Sequence, residues 1–304
     1  MEKVLEIKNL SKKFGNQLAL DNLSMTIRKG EIYGLIGKNG AGKTTLIKVL
    51  TQLIQANEGS VSLFGSSTHS EWTQALKRVG SVIETPVAHN HLTAHQNLLY
   101  YCKARHIANP DKVIAETLDY VGLADTGSKK FRNFSLGMKQ RLGIAIAMIA
   151  KPDLLILDEP INGLDPVGIK EFRLMVQRLN EELGMTIIIS SHILSELYLV
   201  ATKFGIIDQG RLIKEITKSE FEEQSEDYII LKTSQLAQAS QVLQDQLQHR
   251  IKVVSSDGEI HIFGQANDIK SIVKELVHGN INVDEIYYAR QDLENFFTDL
   301  VERD

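Results

Sequence analysis

The fold follows from eight residues, Gly37-Lys38-Asn39-Gly40-Ala41-Gly42-Lys43-Thr44, which match the phosphate-loop pattern G-x-x-x-x-G-K-[ST] at each fixed position. An apolar run at 32–36 precedes them, and a helix-like run at 45–50 follows. The motif requires this context of strand, loop and helix. The alternative is an ordinary glycine-rich turn, which both the context and the fixed positions disfavour.

The residue types in this stretch predict binding of a nucleoside triphosphate. Glycines allow consecutive backbone N–H groups to point inward and hold phosphate oxygens, and the positive end of the following helix adds to that attraction. We expect Lys43 to reach the β and γ phosphates and Thr44 to offer its hydroxyl to Mg²⁺. The predicted nucleotide contacts are Gly37, Lys38, Asn39, Gly40, Ala41, Gly42, Lys43, Thr44 and Thr45.

A second acidic element follows the apolar run at 154–157. Four apolar residues in a row predict a buried parallel strand, and ligands bind at the carboxyl ends of such strands. We expect Asp158 to hold Mg²⁺, directly or through water, and Glu159 to polarise the water that attacks the γ phosphate. The alternative is a strand followed by a common acidic turn.

A third predicted strand, at 185–190, is followed by Ser191 and His192. A histidine just beyond a buried strand, at the same edge of the sheet, can contact the γ phosphate. Taken alone, His192 would more readily be interpreted as a surface or core residue. Its interpretation therefore depends on the other motifs in the chain.

Segment 133–141, Asn-Phe-Ser-Leu-Gly-Met-Lys-Gln-Arg, resembles the signature segment of the ATP-binding-cassette (ABC) ATPases, whose consensus is L-S-G-G-Q. Ser135 and Gly137 keep the serine and the second glycine of that consensus, and a hydroxyl beside an open helix N-terminus suits a γ phosphate. Ser135 as a helix N-cap is a compatible alternative. The departures from the consensus are Phe134, Leu136 and Met138.

The other elements of this family follow in order over about residues 3–216. Phe14 resembles the adenine-stacking residue, with an aromatic of an edge sheet as the alternative. Glu84 takes the place of the family's glutamine, where it can accept a hydrogen bond from Mg²⁺-bound water but cannot donate one. Asp165 resembles the D-loop residue that crosses between subunits, and His192 resembles the switch histidine.

This resemblance implies an α/β fold with a P-loop NTPase core of the ABC ATPase type. Such a fold has a RecA-like α/β core, an antiparallel β subdomain and a helical signature subdomain. The resemblance further implies ATP and Mg²⁺ as cofactors and a head-to-tail homodimer in the ATP-bound state. In that dimer Ser135, Gly137 and Asp165 act in trans on the partner's nucleotide, while Glu159 and His192 are catalytic.

Composition narrows the classes of partner. The net charge of −4 favours neither nucleic acid nor anionic lipid. The single cysteine, Cys102, excludes an intrachain disulfide and suits a reducing cytoplasm. No apolar run approaches the roughly 20 residues that cross a bilayer. Together with these features, the resemblance to the ABC ATPases implies a cytoplasmic protein that separate permease subunits hold at the inner face of the membrane, with no nucleic acid partner.

The charge is unevenly placed along the chain. Residues 221–304 contain 16 acidic and 7 basic residues, a net charge of −9, whereas residues 1–220 carry +5. This shift coincides with a polar run at 220–227, which can also be a solvated helix face. We predict an ABC ATP-binding domain at 1–220 and an accessory module at 221–304.

The accessory module shows an alternation of strand and helix patterns that predicts the order βαββαβ, as in a ferredoxin-like fold. Packing against the catalytic domain or the partner copy is the expected role, and ligand sensing is the alternative. The predicted elements are a strand at 228–232, a helix from 236 to 247, a hairpin of 251–254 with 259–263 turning at 256–258, a helix at 269–276, a strand at 281–288 and an amphipathic helix at 293–300.

The chain resembles the bacitracin-export and lantibiotic-immunity branch in three features. These are the sequence of its signature segment, the glutamate at position 84 and the length of its tail. That resemblance implies an ATPase that powers export of an antimicrobial peptide, antibiotic or lantibiotic. Exporters of ions or lipids use similar chains and remain an alternative. A soluble ABC ATPase acting on ribosomes or DNA is a rival class, which the single cassette and the short interval between Lys43 and Ser135 disfavour. A binding module without turnover is disfavoured by the presence of Glu159 and His192.

Overall fold

A computed structural model of the protein describes residues 2–66, 69–224, 227–246, 250–255, 258–263 and 269–290. The chain divides into two compact units, Met1–Lys218 and Ser219–Asp304. No helix in the described ranges is both long and apolar enough to cross a membrane.

The first unit contains nine strands, seven α-helices and two short 3-10 helices, Ala124–Thr126 and Phe131–Asn133, within its described residues. The strands are β1 (Lys3–Phe14), β2 (Gln17–Arg28), β3 (Ile32–Ile36), β4 (Glu58–Leu63), β5 (Val79–Val82), β6 (Leu154–Asp158), β7 (Thr186–Ser191), β8 (Lys203–Asp208) and β9 (Arg211–Thr217). The helices are α1 (Lys43–Leu50), α2 (His69–Leu76), α3 (Ala94–Ala104), α4 (Pro110–Tyr120), α5 (Leu136–Met148), α6 (Pro166–Leu183) and α7 (Leu194–Tyr198).

The central sheet has six strands in the order β5-β6-β7-β3-β8-β9, all parallel except β9. Every residue of β3, β6 and β7 is buried, as expected for strands covered on both faces. The register pairs Ile36 with Ser191 and Asp158 with Ser190. The carboxyl ends of β3, β6 and β7 therefore lie side by side, and the loops that follow them meet at one edge.

A second sheet, antiparallel and in the order β2-β1-β4, shares a hydrophobic core with the central sheet. Leu5 and Ile27 from this sheet join Ile47 of α1 and Ile156 of β6 in one buried cluster. The hairpin between β1 and β2 carries Phe14, which pairs with Gln17 at the turn. The predicted antiparallel β subdomain is thus confirmed.

A group of helices completes this unit. Helix α5 packs against α3, α4 and β5, and its buried residues include Leu142, Ile144 and Ala145. Helix α3 begins with a capping box in which Thr93 accepts from the Gln96 N–H and Gln96 accepts from the Thr93 N–H. The capping box sets where α3 starts, whereas α5 starts at Leu136, within the signature segment.

In the second unit the elements run α8 (Lys218–Gln224), β10 (Asp227–Lys232), α9 (Leu236–Gln241), a π-helical turn (Val242–Gln246), β11 (Arg250–Val254), β12 (Glu259–Phe263), α10 (Ile269–His278) and β13 (Glu285–Arg290). The sheet order is β11-β12-β10-β13, fully antiparallel. This order and the alternation from β10 to β13 are those of a ferredoxin-like fold, which confirms the prediction. Its core includes Ile229, Ile262, Leu243 and Ile272.

The last strand differs from its predicted bounds. It begins at Glu285 rather than at Ile281, because Ile281 donates its N–H to the Leu276 carbonyl and so lies in the turn that follows α10. Ile281 is still buried, so its apolar side chain reflects core packing rather than a strand. Residue 247, most of the turn at 256–258 and the helix predicted at 293–300 lie outside the described residues.

Candidate active site

The phosphate loop connects β3 to α1, and its backbone conformation requires glycine. Gly40 and Gly42 have φ values of 85° and 110°, which other residues rarely adopt. A Cβ on Gly42 would stand 2.7 Å from the Ala19 carbonyl oxygen, and one on Gly37 would meet the carbonyl oxygen of Ile207. The loop is therefore a tight backbone cradle.

Lys43 is buried, with 5% of its surface exposed, although it carries a charge. Its Nζ donates to the carbonyl oxygens of Gly37, at 2.6 Å, and Lys38, at 3.2 Å. It also lies 3.1 Å from Glu159 Oε1. A buried ammonium needs such partners, and here they hold it across the loop where phosphate oxygens would lie.

Asp158 ends β6 and is buried. Its Oδ1 accepts a 2.6 Å hydrogen bond from the hydroxyl of Ser190 on β7. The same hydroxyl accepts from the Glu159 backbone N–H at 2.9 Å. The sequence motifs did not identify Ser190 as a site residue, although a polar residue after the apolar run at 187–189 was a usable signal.

Glu159 lies between a lysine and a histidine. Its backbone φ of 47° is left-handed, which turns the chain sharply after β6. Oε2 lies 2.8 Å from His192 Nδ1, and Oε1 forms the ion pair with Lys43. Within the described residues Oε1 is buried and accepts no hydrogen bond, because Lys43 meets the distance of an ion pair but not the alignment of a hydrogen bond.

His192 follows β7 on a turn that Ser191 stabilises by accepting from the Ile193 N–H at 2.9 Å. An ionised carboxylate only accepts hydrogen bonds, so Nδ1 carries the proton of the contact with Glu159. The imidazole is about one-third exposed. It therefore borders both the carboxylate and the solvent-facing side of the cradle.

The structure thus brings together four of the predicted site residues, Lys43, Asp158, Glu159 and His192, from the ends of three adjacent strands. An ammonium at a backbone cradle can bind phosphate oxygens. A carboxylate oxygen without a hydrogen-bond donor can accept a proton from water. This combination suits hydrolysis of a phosphoanhydride.

The signature segment at 133–141 and the segment at 162–166, which contains Asp165, touch each other. Ser135 caps α5, its hydroxyl accepting from the Met138 N–H at 3.3 Å, so the N-cap interpretation is confirmed. Asp165 caps α6 in the same way through the Gly168 N–H. A Cβ on Gly163 would lie 3.1 Å from Leu136 Cδ2.

No hydrogen bond or ion pair joins these two segments to the phosphate loop within the described part of the chain. The exposed positions are Ser135, Leu136, Gly163 and Asp165, while Gly137 is partly buried. This half of the predicted site therefore lies open, in contrast with the cluster around Glu159.

Two predicted contacts lie apart from the cluster. Phe14 is half exposed, with Lys12 Nζ 5.1 Å from its ring centroid. Glu84 has a left-handed φ of 62° and binds Lys48 Nζ of α1 at 2.7 Å. Of the remaining predicted contacts, Lys38, Asn39 and Gly40 are exposed, Ala41 is buried, and Thr44 and Thr45 are partly buried.

The chain is similar to known transport proteins. A family profile described as "ABC transporter" matches residues 20–162. The bacitracin transport ATP-binding protein BcrA of Enterococcus faecalis is 38% identical over 99% of this chain and 97% of its own length. The lantibiotic transport ATP-binding protein SrtF of Streptococcus pyogenes is 45% identical over 70% of this chain and 90% of its own. A solved ATP-binding subunit of an ABC transporter is 30% identical, with a TM-score of 0.63 over 73% of this chain and 92% of that structure.

Proposed function

The chain belongs to the ATP-binding proteins of ABC transporters, and from this premise we propose that it powers export of an antimicrobial peptide or related antibiotic. It is an ATPase whose reaction is coupled to transport. The observation that carries the site assignment is the contact of Glu159 with both Lys43 and His192. The names of the bacitracin and lantibiotic relatives support the cargo.

We assign the phosphates of ATP to the loop at 37–45. The γ phosphate competes with the Glu159 carboxylate for the Lys43 ammonium, and when ATP binds it replaces the carboxylate as the partner of Lys43. Glu159 Oε1 is then free to accept the proton of a water that attacks γ phosphorus, while the bond to the bridging oxygen of ADP breaks. His192 holds the other carboxylate oxygen, Oε2, in place.

The residues around Asp158 suit Mg²⁺, which neutralises charge on the β and γ oxygens when bound. Ser190 engages Oδ1 of Asp158, and Oδ2 accepts no hydrogen bond within the described residues. Thr44, in the first turn of α1, offers a hydroxyl, and α1 packs against β6. Glu84, which here accepts from Lys48, would complete the proposed set of residues that hold the ion.

The open half of the site supports a head-to-tail homodimer. Leu136 and Val167 are 46% and 64% exposed, beside Ser135 and Asp165. Apolar surface next to polar caps suits a protein interface. In the proposed dimer Ser135, Gly137 and Asp165 complete the ATP site of the partner copy, and Phe14 stacks on adenine.

Membrane permease subunits are the proposed partners outside the dimer. An exposed aromatic patch lies at the start of the helical region, where Val87 is 77% exposed. Tyr100 makes edge-on contacts with His89 and Tyr101, with ring centroids 4.7 and 5.4 Å apart. An apolar segment of a permease would cover this patch. Such docking would hold the protein at the cytoplasmic face of the membrane.

We assign residues 1–220 to the ATP-binding domain and residues 221–304 to an accessory module. The division of the chain at Lys218 supports this boundary.

The cargo is tested by expressing the chain with its neighbouring membrane proteins in a sensitive bacterium. We expect the wild-type operon to raise the inhibitory concentration of bacitracin or of a lantibiotic, and Glu159→Gln to abolish that increase. Equal protection by both proteins would refute ATP-driven export. No protection against any peptide antibiotic, with ATPase activity intact, would refute the cargo alone.

A further inference from the structure

One buried hydroxyl connects both acidic residues of the site. Ser190 is fully buried on β7. Its Oγ donates to Asp158 Oδ1 at 2.6 Å and accepts from the Glu159 N–H at 2.9 Å. The hydroxyl therefore gives its single proton to the hydrogen bond with Asp158 and one lone pair to the hydrogen bond with Glu159, the next residue.

The acceptor contact bears on the direction of the Glu159 side chain. A left-handed φ of 47° is unfavourable for glutamate, so a surrounding contact must hold it. The Ser190 oxygen binds the N–H of this same residue. The carboxylate thereby points between Lys43 and His192.

The donor contact bears on the orientation of Asp158. With Oδ1 engaged by Ser190, rotation of the carboxyl group is restricted and Oδ2 has a defined direction. An apolar side chain at position 190 would suit a buried strand equally well. It would leave the Glu159 N–H and one Asp158 oxygen buried without a partner.

We propose that Ser190 is a positioning residue for ATP hydrolysis, which orients the metal-binding carboxylate and the general base through one hydroxyl. It acts through Asp158 and Glu159 and touches neither nucleotide nor water. The inference rests on the roles proposed for those two residues. No such role belongs to Thr186, another buried hydroxyl of β7, which accepts from the Gly30 N–H at 3.0 Å at the opposite end of the strand.

The test compares ATP turnover by the full-length chain carrying Ser190→Ala, Thr186→Val or Glu159→Gln. Each of the first two removes one buried hydroxyl from the same strand, so Thr186→Val controls for the loss of a buried hydrogen bond. The rate of ATP hydrolysis is measured as a function of ATP concentration and then as a function of Mg²⁺ concentration. Thermal melting reports on folding.

We expect Ser190→Ala to lower kcat by roughly 10- to 100-fold, as is usual for residues that orient catalytic groups. The KM for ATP should stay within about threefold, because the phosphate loop is unchanged, and the Mg²⁺ concentration for half-maximal activity should rise by at least about threefold. Thr186→Val should keep kcat within about twofold of the wild type. Ser190→Thr, which restores the hydroxyl, should recover activity over Ser190→Ala.

A kcat for folded Ser190→Ala within twofold of the wild type would overturn the inference. So would equal losses of kcat in Ser190→Ala and Thr186→Val at equal loss of melting temperature. If Ser190→Ala does not fold, Ser190→Cys is judged by the same limits, since a thiol is a weak donor. Wild-type turnover by Glu159→Gln would instead refute the proposed site, whereas an inactive Glu159→Gln beside a fully active Ser190→Ala refutes only the role of Ser190.

Discussion

Two regions of the predicted site differ in how many contacts their polar side chains make within one chain. They are the edge of the parallel sheet around Glu159 and the signature surface around Ser135 and Asp165. At the sheet edge, the carboxylate of Glu159 contacts both Lys43 and His192 directly. At the signature surface, Ser135 and Asp165 cap their own helices and lie exposed. The first region has the chemistry of phosphate hydrolysis, and the second offers a surface for another molecule.

This difference supports the proposed head-to-tail homodimer. In that dimer one copy would supply the charged cluster, and the second would supply a helix N-terminus with an exposed hydroxyl. Substitutions in the first region should therefore affect a site in the same copy, and substitutions in the second should affect a site in the partner.

The largest effect is expected for Glu159→Gln, which removes the proposed base at the sheet edge. Turnover should fall by roughly 100- to 10,000-fold, the usual contribution of such a group. ATP binding should persist because the phosphate loop is intact, and the ATP-bound dimer should then stay associated. Phosphate release and size-exclusion chromatography with ATP and Mg²⁺ measure the two effects. Turnover at the wild-type rate would contradict the role of Glu159.

Lys43→Ala should have a smaller effect, and on a different quantity. Loss of a charged hydrogen-bond donor to the phosphates should raise the Kd for ATP by roughly 10- to 100-fold. Titration with a fluorescent ATP analogue measures this change, and Lys48→Ala on the next turn of the same helix is the control. An unchanged affinity for ATP in Lys43→Ala would show that its ammonium does not reach the nucleotide.

Phe14→Ala should have the smallest effect. Loss of an exposed stacking platform should weaken ATP binding by roughly 3- to 10-fold, the range for aromatic contacts. Turnover at saturating ATP should not change, because the ring lies outside the catalytic cluster. A Phe14→Tyr protein, which keeps the aromatic face, is the control. If Phe14→Ala binds ATP as tightly as the wild type, adenine stacks elsewhere.

The two regions also differ in what the sequence alone predicts. Strand β3 has the predicted bounds, and the strands before Asp158 and His192 lie within one residue of theirs, because continuous apolar runs report burial directly. The ferredoxin-like order of the second unit also followed from alternating patterns. These features depend on residues close together in the chain.

Contacts between distant segments were harder to predict. The bond from Ser190 to Asp158 depends on the register of β6 against β7, which joins residues 32 positions apart. The ion pair of Lys48 with Glu84 depends on the left-handed backbone conformation of Glu84, which no local sequence pattern predicts. The motifs therefore pointed to Lys43, Asp158, Glu159 and His192, which lie together, while the contacts of Ser190 with both acids were visible only in the structure.

The central claim, a site shared between two copies, is tested most directly by mixing two inactive proteins. Lys43→Ala damages the phosphate loop, and Ser135→Arg blocks the signature surface. In a mixed dimer both defects fall in one site, and the other site is intact. With random pairing, ATPase activity should recover to about a quarter of the wild-type value, since half of the dimers are mixed and each has one good site. Recovery on mixing is the predicted result, and two proteins that stay inactive together, although they associate with ATP, would contradict the shared site.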